Sequence, residues 1–176
     1  MNKVMIREEM LKKRDALSEE ELIRRSTSIS DNLKSLEEYK KASTVMFYVS
    51  KGSEVHTHNL INGTNKVIVV PKMKDGYISC CAIEDFSELR PGSFGILEPV
   101  KERIVDLSSI GFIIVPGIAF DIKGYRVGYG FGYYDTLLKR LTCMKVGLAF
   151  DFQVIAKISF DRWDVKLDKV ITETMA

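Results

Sequence analysis

FIIVPGIAFDIKGYRVGYGFGYYD, residues 112–135, is the stretch on which the fold turns. Its first four residues, Phe112 to Val115, form an unbroken apolar run. A strand wetted on one face alternates apolar and polar side chains, whereas a strand buried on both faces does not. FIIV therefore predicts a strand covered on both sides. A Pro-Gly turn and a second apolar run follow, and then Gly128, Gly130 and Gly132 recur at every second residue. Glycines so placed leave bare backbone that another group can approach closely. Tyr133, Tyr134 and Asp135 lead into TLLKRL, which reads as a helix. Backbone N–H groups at the mouth of a helix suit an anion such as phosphate. The spacing is neither G-x-G-x-x-G nor G-x-x-x-x-G-K-[ST]. Taken alone it also fits a hairpin or bulge that needs small residues. The crowding of Arg126, two tyrosines and an acid around the glycines favours a binding site.

Five similar runs surround this one: TVMFYV (44–49), KVIVV (66–70), YISCCAI (77–83), KVGLAF (145–150) and DKVIT (168–172). All are short, apolar and rich in β-branched or aromatic residues. Helical signals come first in the chain. Met5 or Ile6, Met10, Leu11 and Leu17 recur near helical spacing. Ser18-Glu19-Glu20-Glu21 reads as a capping box that opens a second helix, with Leu22, Ile29, Leu33 and Leu36 on its apolar face. THNLING (57–63) reads as a short helix ended at Gly63. Strands alternating with helices predict an α/β fold: a single three-layer domain over residues 1–176, Rossmann-like, with a largely parallel sheet flanked by helices. In such sheets ligands gather beyond the carboxyl ends of the strands, where the glycine segment falls.

Composition narrows the function classes. The 176 residues carry a net charge of +2, with 45% hydrophobic and 28% charged residues. That balance gives no case for nucleic-acid or membrane binding. The three cysteines, Cys80, Cys81 and Cys143, form no C-x-x-C and read as reduced cytoplasmic thiols. The opening MNKVMIREEMLKKRDAL is too charged for a signal peptide. No apolar run approaches the ~20 residues of a membrane span. His56 and His58 form H-x-H with no third ligand nearby in sequence, which favours a structural role.

The glycine segment and its flanks resemble the 5-formyltetrahydrofolate cyclo-ligase family, whose motif has the form P-G-x-A-F-D-x-x-G-x-R-x-G-x-G-x-G-Y-Y-D. Pro116, Gly117, Ala119, Phe120, Asp121, Gly124, Arg126, Gly128, Gly130, Gly132, Tyr133, Tyr134 and Asp135 fill every fixed position. Gly95-Ile96-Leu97-Glu98-Pro99 matches F-G-I-x-E-P, Lys3 and Arg7 match K-x-x-x-R, and Asp164, Asp168 and Glu173 match the closing D-x-x-x-D-x-V-x-x-E. Residues 72–94 match least. The resemblance implies an ATP- and Mg2+-dependent conversion of 5-formyltetrahydrofolate, with or without a polyglutamate tail, to 5,10-methenyltetrahydrofolate. In the implied reaction the formyl oxygen attacks the γ-phosphate, and N10 then closes the ring as phosphate leaves. It also implies a cytoplasmic enzyme, which we expect to be a monomer.

The resemblance implies the following roles. Lys3 and Arg7, at i and i+4 on one helix face, meet ATP phosphates. Arg126, Val127, Gly128, Tyr129, Gly130, Phe131, Gly132, Tyr133 and Tyr134 form the ATP loop, with Arg126 and Tyr133 as the catalytic pair. Val49, Glu54 and residues 129–133 contact folate. Asp135 and Asp164 ligate the metal, with Asp168 as the competing assignment to Asp164. One of the two tyrosines is expected in the core, and Tyr133, nearer the loop, is assigned to the site. Lys12, Lys13 and Arg14 read as a solvated charged face. Lys72 is a further basic candidate. Two other functions stay open from the residues alone: a nucleotide- or folate-binding module without turnover, and an ATP-independent sugar-phosphate isomerase or transferase on a similar scaffold.

Overall fold

The computed structural model describes residues 2–175. Five α-helices occur among them: Lys3–Asp15 (α1), Glu19–Ser35 (α2), Glu37–Lys41 (α3), His58–Asn62 (α4) and Tyr133–Leu138 (α5). The strands are Thr44–Met46 (β1), Val67–Lys74 (β2), Tyr77–Ile83 (β3), Leu89–Pro91 (β4), Leu97–Pro99 (β5), Phe112–Val115 (β6), Ala119–Asp121 (β7), Arg126–Val127 (β8), Met144–Leu148 (β9), Val154–Ile155 (β10) and Lys169–Ile171 (β11). The six long apolar runs become one sheet in the order β11-β9-β6-β1-β2-β3. Every pairing in it is parallel except β2 with β3. Taken in chain order, those six strands stand 3-2-1-4-5-6, the doubly-wound arrangement.

The continuous apolar runs have the predicted cause. Successive side chains of a strand point to opposite faces, and here both faces are dry. Val45, Phe112, Ile114 and Val146 pack with Ile29 and Leu33 of α2 and with Leu60 and Ile61 of α4. Met46, Val69, Ile113 and Val115 pack on the other face with Leu137 and Leu138 of α5. A third cluster joins Ile6 and Met10 of α1 to Ile118, Ala119 and Val127. It seats α1 on the small sheet β10-β7-β8. That contact carries the helix holding Lys3 and Arg7 to the glycine segment.

Local signals hold with adjustments. Ser18 caps α2 by accepting from the Glu21 N–H at 3.2 Å. The reciprocal half of the capping box is replaced, because Glu21 pairs with Arg25 at 3.1 Å. The TVMFYV strand is ladder-paired only over Thr44–Met46. Tyr48 to Ser50 remain buried but turn their polar groups to residues 55–58. Ser50 and Thr57 exchange two hydrogen bonds, each 3.0 Å, between backbone N–H and side-chain oxygen. The β2–β3 hairpin turns at Asp75 and Gly76, both with positive φ (50° and 79°), as a tight primed turn requires.

Candidate active site

The chain leaves β1 toward β2 on one side of the sheet and leaves β6 toward β9 on the other. The neighbouring carboxyl ends of β1 and β6 therefore form the topological switch point, where open α/β sheets bind ligands. Two loops meet there. One follows β1 and carries Glu54. The other is the glycine loop, 128–132, between β8 and α5. Tyr129 joins them, donating its hydroxyl to Glu54 Oε1 at 3.2 Å. Glu54 Oε2 accepts the Lys51 N–H at 2.9 Å. Burial raises the Glu54 carboxyl above its ordinary value, against the Lys51 N–H, the Arg14 cation and the Tyr129 hydroxyl, which all lower it.

The three motif glycines differ physically. Gly130 and Gly132 take φ of 103° and 71°, a region that favours glycine. Gly128 has no positive φ, and a Cβ there would meet nothing within 4 Å. The fold itself does not demand glycine at 128, so the bare backbone there is free for an incoming ligand.

Helix α1 lies along this loop. Arg7 Nε donates to the Gly128 carbonyl at 2.9 Å. Lys3 pairs with Asp164 and, at 2.9 Å, with Asp161. Burial works against the Lys3 ammonium, but its hydrogen bonds to Asp164 and Asp161 outweigh burial and raise its pKa. Arg14 is not on a solvated face. It is 3% exposed, and it donates to Ser53 Oγ and to the Tyr129 hydroxyl, each at 3.0 Å. Charge spacing alone could not show this; the position seven residues after Arg7, about two helical turns on, was the available signal.

Arg126 and Asp135 face each other. Arg126 Nη1 and Nη2 donate to Asp135 Oδ1 and Oδ2 at 3.2 and 3.1 Å. The Arg126 side chain is 5% exposed and that of Asp135 is 23%. Asp135 Oδ1 also accepts the Val165 N–H at 2.9 Å, which ties the segment carrying Asp164 to the start of α5. The guanidinium fork of Arg126 is thus engaged within the protein, while its Nε is buried without a partner. Asp168 lies elsewhere. It accepts the Lys145 N–H at 2.7 Å at the amino-terminal end of β9 and β11, the end of the sheet opposite the site.

The two tyrosines separate. Tyr134 packs against both faces of the core, and desolvation holds its hydroxyl well above an ordinary phenol. Tyr133 stacks on Phe131 at 5.4 Å, with Phe94 5.5 Å from Phe131. Phe94 comes from the 92–96 turn and has a φ of 57°. Its carbonyl accepts Lys51 Nζ at 2.6 Å. This aromatic group beside the loop includes Phe94, which adjoins the matched Gly95–Pro99 element.

Other assigned residues lie deeper or apart. Val49 is 2% exposed and its side chain packs in the core cluster with residues of α2 and α4. Lys72 Nζ is bound to the Pro99 carbonyl at 3.1 Å and to Glu102 at 3.4 Å. His58 Nε2 bonds the Ser50 carbonyl at 2.9 Å. Burial raises all three thiols, Cys80 to about 11, which makes poor nucleophiles. Among the described residues no group of three or more His, Cys, Asp or Glu side chains could hold a metal ion, and no helix is long and apolar enough to cross a membrane.

Comparison with known proteins bears on the family and the fold. The model of the 5-formyltetrahydrofolate cyclo-ligase family matches residues 1–173. The chain is 28% identical to mouse 5-formyltetrahydrofolate cyclo-ligase, covering 96% of this chain and 92% of the mouse protein. The solved structure of Aquifex aeolicus 5,10-methenyltetrahydrofolate synthetase superposes with a TM-score of 0.90 at 42% identity, covering 99% of this chain and 91% of that one. The Mycoplasma pneumoniae synthetase follows at TM-score 0.79 and 26% identity, over 98% and 99% of the two chains.

Proposed function

The chain belongs to the 5-formyltetrahydrofolate cyclo-ligase family, and on that premise we propose that it converts 5-formyltetrahydrofolate and ATP to 5,10-methenyltetrahydrofolate, ADP and phosphate. The observation that carries this reading is the Tyr129–Glu54 hydrogen bond across the switch point. It brings a glycine loop suited to phosphate and a carboxylate suited to the N–H groups of a pterin side by side.

Phosphoryl transfer needs positioning and charge neutralisation more than a protein nucleophile. The loop N–H groups, Arg7 and Lys3 supply these for the triphosphate. Lys3 would exchange part of its bonding to Asp161 and Asp164 for phosphate oxygens. Glu54 holds the folate so that the formyl oxygen attacks the γ-phosphorus and ADP leaves. N10 then attacks the activated formyl carbon, the C–O bond breaks, and phosphate departs with the formyl oxygen and the N10 proton. Tyr133, at the mouth of the loop, hydrogen-bonds the reacting group. Arg126 acts through Asp135, whose carboxylate it orients.

Magnesium takes one or two carboxylates, with water and phosphate oxygens completing its shell. Asp135 and Asp164 fit that demand. Among the described residues Asp135 Oδ2 accepts one bond and Asp164 Oδ1 none. These two residues would hold Mg2+, which supplies charge neutralisation at the phosphates when bound. We take the protein as one domain, monomeric and cytoplasmic, in keeping with its free cysteines.

The test is the rise of methenyltetrahydrofolate absorbance on mixing purified protein, MgATP and 5-formyltetrahydrofolate. Product that depends on both substrates supports the proposal. ATP binding without product would point to a binding module, and turnover without ATP to an isomerase or transferase.

A further inference from the structure

Three cations of α1 stand at i, i+4 and i+11: Lys3, which pairs with Asp161 and Asp164, and Arg7 and Arg14, which bond the glycine loop. The first two stand at positions matched to phosphate. Arg14 reaches both the glycine loop and the loop after β1. Its Nη2 holds the Tyr129 hydroxyl and its Nε holds Ser53 Oγ, both at 3.0 Å. Ser53 in turn donates to Asp15 Oδ1, so the end of α1 grips the loop after β1 through two residues. The Tyr129 hydroxyl accepts from Arg14 and donates to Glu54. A buried guanidinium so arranged fixes the direction of the tyrosine's proton and leaves Glu54 the acceptor.

We propose that Arg14 is a positioning residue that aims Glu54 at the folate, through Tyr129 and Ser53, and fixes the glycine loop against the loop after β1. The inference rests on reading Glu54 as the folate carboxylate. It makes Tyr129 a strut between the two halves of the site, at a position where the motif leaves the residue free.

The groups facing Glu54 are Arg14 from α1, Lys51 from its own loop, Tyr129 from the glycine loop, Tyr48 from the tail of β1 and Tyr134 from α5. Both Tyr48 and Tyr134 are held neutral by burial. Arg14 and Lys51 are thus the cations that oppose the upward pull of burial on Glu54. Removing the Arg14 cation moves that carboxyl further up, so the acidic limb of kcat/KM for folate moves to higher pH.

The experiment compares Arg14→Met, Arg14→Lys, Tyr129→Phe and the double variant Arg14→Met/Tyr129→Phe in the cyclisation assay, with a 13C NMR titration of the Glu54 carboxyl in the free protein. Arg14→Met should raise the folate KM about tenfold, the scale of one charge-assisted hydrogen bond, with the ATP KM changed less than about twofold. Arg14→Lys should return the acidic limb toward wild type. Tyr129→Phe, which loses only a hydroxyl from a side chain at 51% exposure, should also raise the folate KM. The double variant should be no worse than Arg14→Met. An unmoved Glu54 titration in Arg14→Met, or an unchanged folate KM in Tyr129→Phe, would overturn the proposal. A wild type that makes no product would sink the cyclo-ligase reading instead, and the titration would still decide Arg14.

Discussion

The Arg126–Asp135 pair allows a sharp prediction, because its partners are unequally buried. The guanidinium is 5% exposed and the carboxylate 23%. Asp135→Ala would leave the cation nearly dry. Its remaining partner would be the Val165 carbonyl at 3.4 Å, and its Nε already lacks one. Orphaning a buried charge costs about 3–5 kcal/mol, and the partial exposure of Asp135 places this case at the low end, about 3 kcal/mol. Arg126→Met would instead leave a carboxylate that keeps the Val165 N–H and reaches water, at about 1 kcal/mol. In a domain of this size one kcal/mol lowers the Tm by about 2–4 °C, so the losses should be about 6–12 °C for Asp135→Ala and about 2–4 °C for Arg126→Met. The double variant, with no charge left, should be no less stable than Asp135→Ala alone. Thermal unfolding followed by circular dichroism measures all three. An Arg126→Met loss as large as that of Asp135→Ala, or a double variant that loses the sum of both, would refute the view that Arg126 depends on Asp135.

Three further predictions follow from the same structure. Gly128→Ala meets neither a positive φ nor a neighbour, so its Tm should stay near wild type while cyclisation falls; retained activity would show that no ligand approaches there. Gly132→Ala, at φ 71°, should cost about 1–2 kcal/mol of stability, read by urea unfolding. The Arg103 fork on Glu88 lowers that carboxyl from 4.5 to about 2. A depressed carboxyl stabilises above its ordinary pKa and loses that contribution as pH falls through the folded value. Wild type should thus lose stability between pH 4.5 and 2 that Arg103→Met lacks, and parallel Tm curves over that range would contradict the assignment.

The parallel strands were legible because burial on both faces leaves apolar runs without alternation, and FIIV, KVIVV and KVGLAF each became strands of the main sheet. The antiparallel edge was not read from the sequence: β2 and β3 look like any other buried runs, and the turn at Asp75 and Gly76 shows in their positive φ values. The short strands β4, β7, β8 and β10 span two or three residues, too few for any periodicity to register. At the site, the glycine loop stood out by its spacing, whereas Glu54 was singled out only by the family resemblance. Arg14 was singled out by neither. A cation that directly follows Lys12 and Lys13 in a helix's last turn looks solvated until tertiary packing buries it. Asp164 and Asp168 stand four residues apart with the same chemistry, and only the direction of β11 sends one to Lys3 and the other to the far end of the sheet.

The central claim is that the formyl oxygen of the folate is carried away by the phosphate of ATP. The most direct measurement labels that formyl oxygen with 18O and follows it during turnover with MgATP. The account predicts one phosphate per methenyltetrahydrofolate, each carrying the label. Product formed with unlabelled phosphate, or formed without ATP, would contradict it.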